Sequence, residues 1–109
     1  MEINNPVASW TLWCRRDDLL IEFKLAVATP HQDADSWICE WSMGNLFPHS
    51  LAPAIGVSSM HSLVCAFIGL RTFLNGREEL GDKFYCGSSS EENLVERIED
   101  LFWSSSPAL

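Results

Sequence analysis

Residues 19–27, LLIEFKLAV, alternate without a break: Leu19, Ile21, Phe23, Leu25 and Val27 fall on one side, Glu22 and Lys24 on the other. A period of two held this long excludes an amphipathic helix and predicts a strand with one face buried and one in water. Asp17-Asp18, just ahead, is a turn signal. Before it, SWTLWCRR at 9–16 also alternates, with Trp10, Leu12 and Cys14 against Thr11, Trp13 and Arg15. The two runs therefore predict a hairpin.

Thr29 to Asp35, with Pro30, reads as a polar loop, and SWICEWSM at 36–43 reads as a third strand. Trp37, Cys39, Trp41 and Met43 share one of its faces. Residues 44–56 read as a long connection, because Pro48 and Pro53 exclude a regular element through the middle. A helix begins near Val57 with Ser58 or Ser59 as N-cap. Leu63, Phe67, Leu70 and Leu74 recur at helical spacing, and Met60, Val64 and Ile68 widen the stripe. This predicts a central buried helix that stops at Asn75-Gly76. Arg77 to Asp82 follows as a charged loop, then a strand at 83–87. A last helix is expected at 91–103, with Leu94, Ile98, Leu101 and Phe102 inward.

The order β-β-β-α-β-α predicts an α+β fold: an antiparallel sheet of about four strands with two helices packed on one face. A length of 109 residues fits one domain, spanning 1–109 with loose ends at about 1–8 and 104–109. The apolar fraction of 47%, with five Trp, supplies a core and excludes intrinsic disorder. Trp10, Trp13, Trp37 and Trp41 lie on the predicted strands, and three of the four are expected in the core. A Trp on the other sheet face would be partly exposed or covered by the 44–56 connection.

Fifteen acids against seven bases give a net charge of −8. Such a surface repels nucleic-acid phosphates and speeds encounter with basic partners. It also keeps a Trp-rich domain soluble. No run reaches the roughly 18 apolar residues of a membrane span, and MEINNPVASW lacks the basic and apolar regions of a signal peptide. A cytoplasmic protein is expected, with no membrane or nucleic-acid partner. Cys14, Cys39, Cys65 and Cys86 each sit in an apolar segment and are expected as free thiols.

The residues offer no reaction. Cysteine spacings of 25, 26 and 21 residues, with no C-x-x-C pair, give no metal signature. His61 and Cys65, four apart on the helix, can touch. Without an orienting acid or an oxyanion hole they read as a helix-face His beside a buried Cys. No phosphate loop, dinucleotide fingerprint or nucleophile elbow is present. Neither cofactor nor enzymatic activity is expected.

The acids do form a pattern. On the helix expected at 91–103, Glu92, Glu96, Glu99 and Asp100 lie opposite Leu94 and Ile98, and Trp103 projects onto the same acidic side. A Trp among carboxylates resembles a binding hot spot; the alternative is that Trp103 folds back over the core. Glu78, Glu79 and Asp82 in the loop at 77–82 extend the candidate surface.

The W-x-C-x-W strand at Trp37–Trp41, the Ile55-Gly56 loop end and the helix Ser59–Leu74 resemble small acidic bacterial domains. These are immunity proteins of contact-dependent growth inhibition and related polymorphic toxin systems. The resemblance implies a protein that binds a cognate toxin domain, often a nuclease, and covers its basic active site or substrate cleft. It carries over no functional residue. Two other classes stay open: a small adaptor or regulatory subunit acting by self-association, suggested by the Trp content, and a small-ligand domain using His61 and Cys65.

Overall fold

The computed structural model of the chain describes residue 3, residues 5–47 and 51–86, and residues 94, 95 and 98. Its elements run β1 (Pro6–Arg16), β2 (Leu19–Ala28), β3 (His31–Asp33), β4 (Ser36–Cys39) and β5 (Trp41–Ser42). A 3-10 turn at Gly44–Leu46 follows, then β6 (Ala54–Gly56), α1 (Ser59–Glu79) and β7 (Lys83–Cys86).

The β1–β2 hairpin forms as the alternation requires. Leu12 faces Phe23 and Cys14 faces Ile21 in register, with a bulge between Pro6 and Ala8. Leu12, Cys14, Phe23, Leu25 and Val27 are buried and Glu22 and Lys24 exposed, but at the turn end Leu19, expected on the buried face, is 62% exposed and Ile21 is half-buried. Asp17 turns the corner at φ 56°, a left-handed conformation that a short polar side chain tolerates. β1 begins at Pro6, so residues 6–8 of the stretch read as a loose end are strand.

The strands make two antiparallel sheets, ordered β5-β2-β1-β7 and β3-β4-β6, where a single sheet was expected. Two local features create the second sheet. Residues 31–33, expected as loop, pair with 36–38 through a turn in which Ala34 is left-handed at φ 54°. The expected strand 36–43 divides at Glu40: β4 pairs with β6, and β5 pairs with β2. The Ala28 N–H donates to the Glu40 carbonyl at 2.8 Å, and the Cys39 thiol donates to the Ala28 carbonyl at 3.3 Å. These bonds hold the crossing point between the sheets. The 44–56 connection also carries more structure than its prolines suggest, in the 3-10 turn and β6. Asn45 at the turn donates from Nδ2 to the Glu22 carbonyl at 3.3 Å, beside β2.

Helix α1 starts where expected. Ser58 Oγ accepts the His61 N–H at 3.0 Å as N-cap. It does not stop at Asn75-Gly76 but continues to Glu79. Gly81, at φ 106°, supplies the left-handed residue instead. Its N–H donates to the Glu78 carbonyl at 3.0 Å, and the Asp82 N–H donates to the Arg77 carbonyl at 3.1 Å. This bond pair is the Schellman end.

Nor is α1 buried all round. Ser62, Ala66, Leu70 and Leu74 form one buried stripe, while Met60, Val64 and Ile68 are exposed. The helix packs from one side only, chiefly on β6 and β4 and also on β2. Small residues bring it close: a Cβ on Gly69 would stand 3.0 Å from the Trp41 ring. The stripe joins the inner face of the β1–β2 hairpin and Phe84 in one core. Each fully buried Leu there contributes about 1.5–3 kcal/mol. An edge-on aromatic pair ties helix to sheet, Trp10 with Phe67 at 6.1 Å between centroids, and a second lies within the sheet across β1, Phe23 of β2 with Phe84 of β7 at 5.9 Å.

All four strand tryptophans are half-buried, so the division into three core and one surface Trp does not hold. Trp10 and Trp41 pack against the core from its margin. Trp41 is tied to the 44–56 connection, its indole N–H donating to the Ala52 carbonyl at 3.1 Å. The helix expected at 91–103 falls outside the described residues except at 94, 95 and 98. There, Leu94 forms an antiparallel bridge with Tyr85, and the Val95 N–H donates to the Phe84 carbonyl at 2.8 Å. Residues 94 and 95 thus pair with β7 where helix was expected; Ile98 is buried, in keeping with its inward assignment, as is Val95, while Leu94 is half-buried.

Candidate partner-binding surface

Of the acids proposed to face a partner, Glu92, Glu96, Glu99 and Asp100, together with Trp103, lie outside the described residues. Glu78, Glu79 and Asp82 lie within them, and the fold gives these three different environments. Glu79 ends α1 and is exposed; Glu78, one residue earlier, is half-buried. Asp82 is 3% exposed.

Asp82 is therefore not a surface charge. Its carboxylate accepts from Arg77 Nε at 3.0 Å, and from Arg16 through Nη2 at 3.2 Å and Nε at 3.3 Å. The Schellman end of α1 turns Asp82 inward, and the end of β1 brings Arg16 to it. Burial pushes the Asp82 carboxyl up, but the hydrogen bonds and charges of Arg16 and Arg77 outweigh it and hold the group below the ordinary carboxylate range. The buried Cys14 thiol is pushed up to about 12, first by burial, then by the charge and hydrogen bond of Asp82. Cys14 is thus a protonated thiol near neutrality, with no thiolate to act as nucleophile. In the sequence Arg16 stood at a strand end and Arg77 in the loop expected at 77–82. Nothing in their spacing linked them to Asp82.

Beside the cluster lies a shallow cavity of about 390 Å³, lined by Glu78, Gly81, Asp82, Lys83, Leu94 and Val95. It brings together two of the proposed acids, but one of them is committed to two arginines. The His61–Cys65 pair is also accounted for. His61 Nδ1 accepts the Val57 N–H at 3.0 Å, so the ring proton sits on Nε2 and neither nitrogen is placed to take one from Cys65. His61 belongs to the helix start, as the third-residue partner of an N-cap does. Among the described residues, no group of three or more His, Cys, Asp or Glu side chains could hold a metal. The four cysteines are free.

Exposed carboxylates within the described residues also stand at Asp17, Asp18, Glu22, Asp33, Asp35 and Glu40. They occupy the two hairpin turns, the outer face of β2 and the crossing between sheets. Among the described residues, no helix is long and apolar enough to cross a membrane. No family model, curated protein or solved structure matches the chain.

Proposed function

We propose that this chain is an immunity-type binding protein. It captures a cognate toxin domain, of nuclease type, in the cytoplasm and covers a basic active site or substrate cleft. The observation that carries the reading is the charge balance, fifteen acids against seven bases, with Arg16 and Arg77 both turned to the one buried carboxylate of Asp82. A surface so unbalanced raises the on-rate toward a basic cleft and occupies it as phosphates would.

Glu92, Glu96 and Glu99, which the sequence gathers within a few residues of one another, are assigned to the contact in this reading, together with Glu79. The test is capture of the toxin domain encoded beside this chain, measured by titration calorimetry and by protection of cells that express the toxin. Replacing Glu92, Glu96 and Glu99 together with Lys is expected to weaken capture at least a hundredfold while leaving the melting temperature within a few degrees, as surface substitutions do. Capture should also weaken as salt is raised. A charge-reversed triple variant that binds and protects like the parent sinks the reading.

A further inference from the structure

The second sheet, β3-β4-β6, has two unlike faces. A Cβ on Gly56 would stand 2.5 Å from the Ser62 nitrogen, so position 56 faces α1. Trp37 is its register partner on β4 and shares that face, as does the buried Cys39 two residues on. The alternate residues point the other way. Ile38 stands opposite Ile55 of β6 and His31 of β3, which makes one row across all three strands. Ile38 is half-buried at the centre of the row, Ile55 is 61% exposed, and Val57, two residues further along the chain, is 84% exposed. Asp33 and Glu40 lie two residues from His31 and from Ile38, on the same side, and both are exposed. The charge around this row has one sign. Between Lys24 and Arg71 the chain contains no Lys or Arg, and its acids there are Asp33, Asp35 and Glu40.

We propose that this outward face of β3-β4-β6 docks the toxin domain, whose surface meets the Ile38–Ile55 centre with apolar side chains and the acidic rim with Lys or Arg. The inference rests on the toxin-capture reading and adds what a row of acids does not supply. Carboxylates speed encounter, but lasting affinity comes from a few side chains desolvated at the centre of a contact, with polar groups around them. Ile is stiff at its first side-chain torsion, so covering Ile38 and Ile55 orders little that is not already ordered. Charge selects the occupant. A second copy of the chain brings net charge −8 against −8, and the phosphates of nucleic acid and of anionic lipid are repelled by the same carboxylates. A basic protein surface is the complement of this rim.

Titration calorimetry of the full chain with the toxin domain encoded beside it tests the face, at about 150 mM NaCl, where charges more than about 8 Å apart are screened. Ile55→Thr keeps the net charge and the strand preference and is expected to weaken capture about tenfold. Asp33→Lys combined with Glu40→Lys is expected to weaken it about a hundredfold. Asp18→Lys combined with Glu22→Lys makes the same change in net charge at and beside the β1–β2 turn, and is expected to leave capture within about threefold. Circular dichroism and the melting temperature check that each variant folds. Where the Asp33–Glu40 lysine pair does not, Asp33→Asn with Glu40→Gln replaces it, with an expected loss of about tenfold. Face variants that bind like the parent overturn the proposal and leave toxin capture standing. An equal loss in the Asp18–Glu22 pair also overturns it, since the effect then belongs to net charge and not to this face. A parent that captures no toxin overturns the proposal and the reading beneath it together.

Discussion

Asp82 holds Arg16 across the fold: Arg16 Nη2 reaches Asp82 Oδ2 at 3.2 Å although 66 residues of chain separate them. Arg77 Nε meets the same oxygen at 3.0 Å, so one carboxylate joins the end of β1 to the last turn of α1. Removing it leaves two partly buried guanidinium groups without their acceptor. Asp82→Asn is expected to cost about 2 kcal/mol, less than a fully buried pair would because both arginines reach water. Urea denaturation at neutral pH measures this.

The same pair sets a pH dependence. The folded Asp82 carboxyl binds its proton less tightly than it does in the unfolded chain. Its contribution is therefore complete above about pH 4, the unfolded value, and is lost as pH falls through the lower folded value. Unfolding midpoints of the parent and Asp82→Asn should converge as the solution is taken from neutral to strongly acid. A constant gap across that range would show that the carboxylate does not stabilise through its charge.

Three glycines should respond differently to alanine. A Cβ at Gly56 would lie 2.5 Å from the backbone nitrogen of Ser62. Backbone cannot swing aside, so Gly56→Ala is expected to destabilise by about 1–3 kcal/mol. At Gly69 the neighbour is the Trp41 ring at 3.0 Å, which has some room to tilt, and the cost is expected to be smaller. Gly76 is helical with nothing within 4 Å, so Gly76→Ala should stabilise by about 0.5–1 kcal/mol. Thermal melts of the three variants give the ranking.

Thiol reactivity divides the cysteines in two. Cys14 and Cys39 are buried, with thiols pushed up to about 12 and about 11, in both cases first by burial. Cys86 is exposed and Cys65 half-buried. A thiol-specific reagent at neutral pH is expected to label Cys86 first and Cys65 more slowly. Cys14 and Cys39 should react only on unfolding, and mass spectrometry of the labelled peptides assigns each site.

Ser58→Ala removes the oxygen that accepts the His61 N–H. It is expected to lower stability by about 1 kcal/mol, a typical N-cap loss. Hydrogen exchange at the first turn of α1 should rise before exchange at Leu70 does.

The β1–β2 hairpin was legible because two uninterrupted alternations flank a two-residue turn, and the alternation persists as a buried row from Leu12 to Cys14 and from Phe23 to Val27, failing at Leu19 beside the turn. The start of α1 was legible through Ser58. Its end was not: Asn75-Gly76 carries a stop signal as strong as Gly81's, and the choice between them fell to the bonds closing on Arg77 and Glu78. The second sheet escaped notice because β3 and β6 have three residues each, too few to show a period. The candidate acids were read as solvated because loops usually are. Asp82 departs from that rule through partners on other elements, which spacing along the chain cannot reveal.

The crossing at Glu40 has a consequence for how the molecule comes apart. A chain that leaves one sheet as β4 and enters the other as β5 within a single residue leaves no hinge where one sheet could melt and the other persist. Fraying β4 from β6 pulls on the Ala28–Glu40 bond, and through it on the pairing of β2. The two sheets thus form one cooperative unit, and the amide of Ala28 should exchange with solvent only when the whole domain opens.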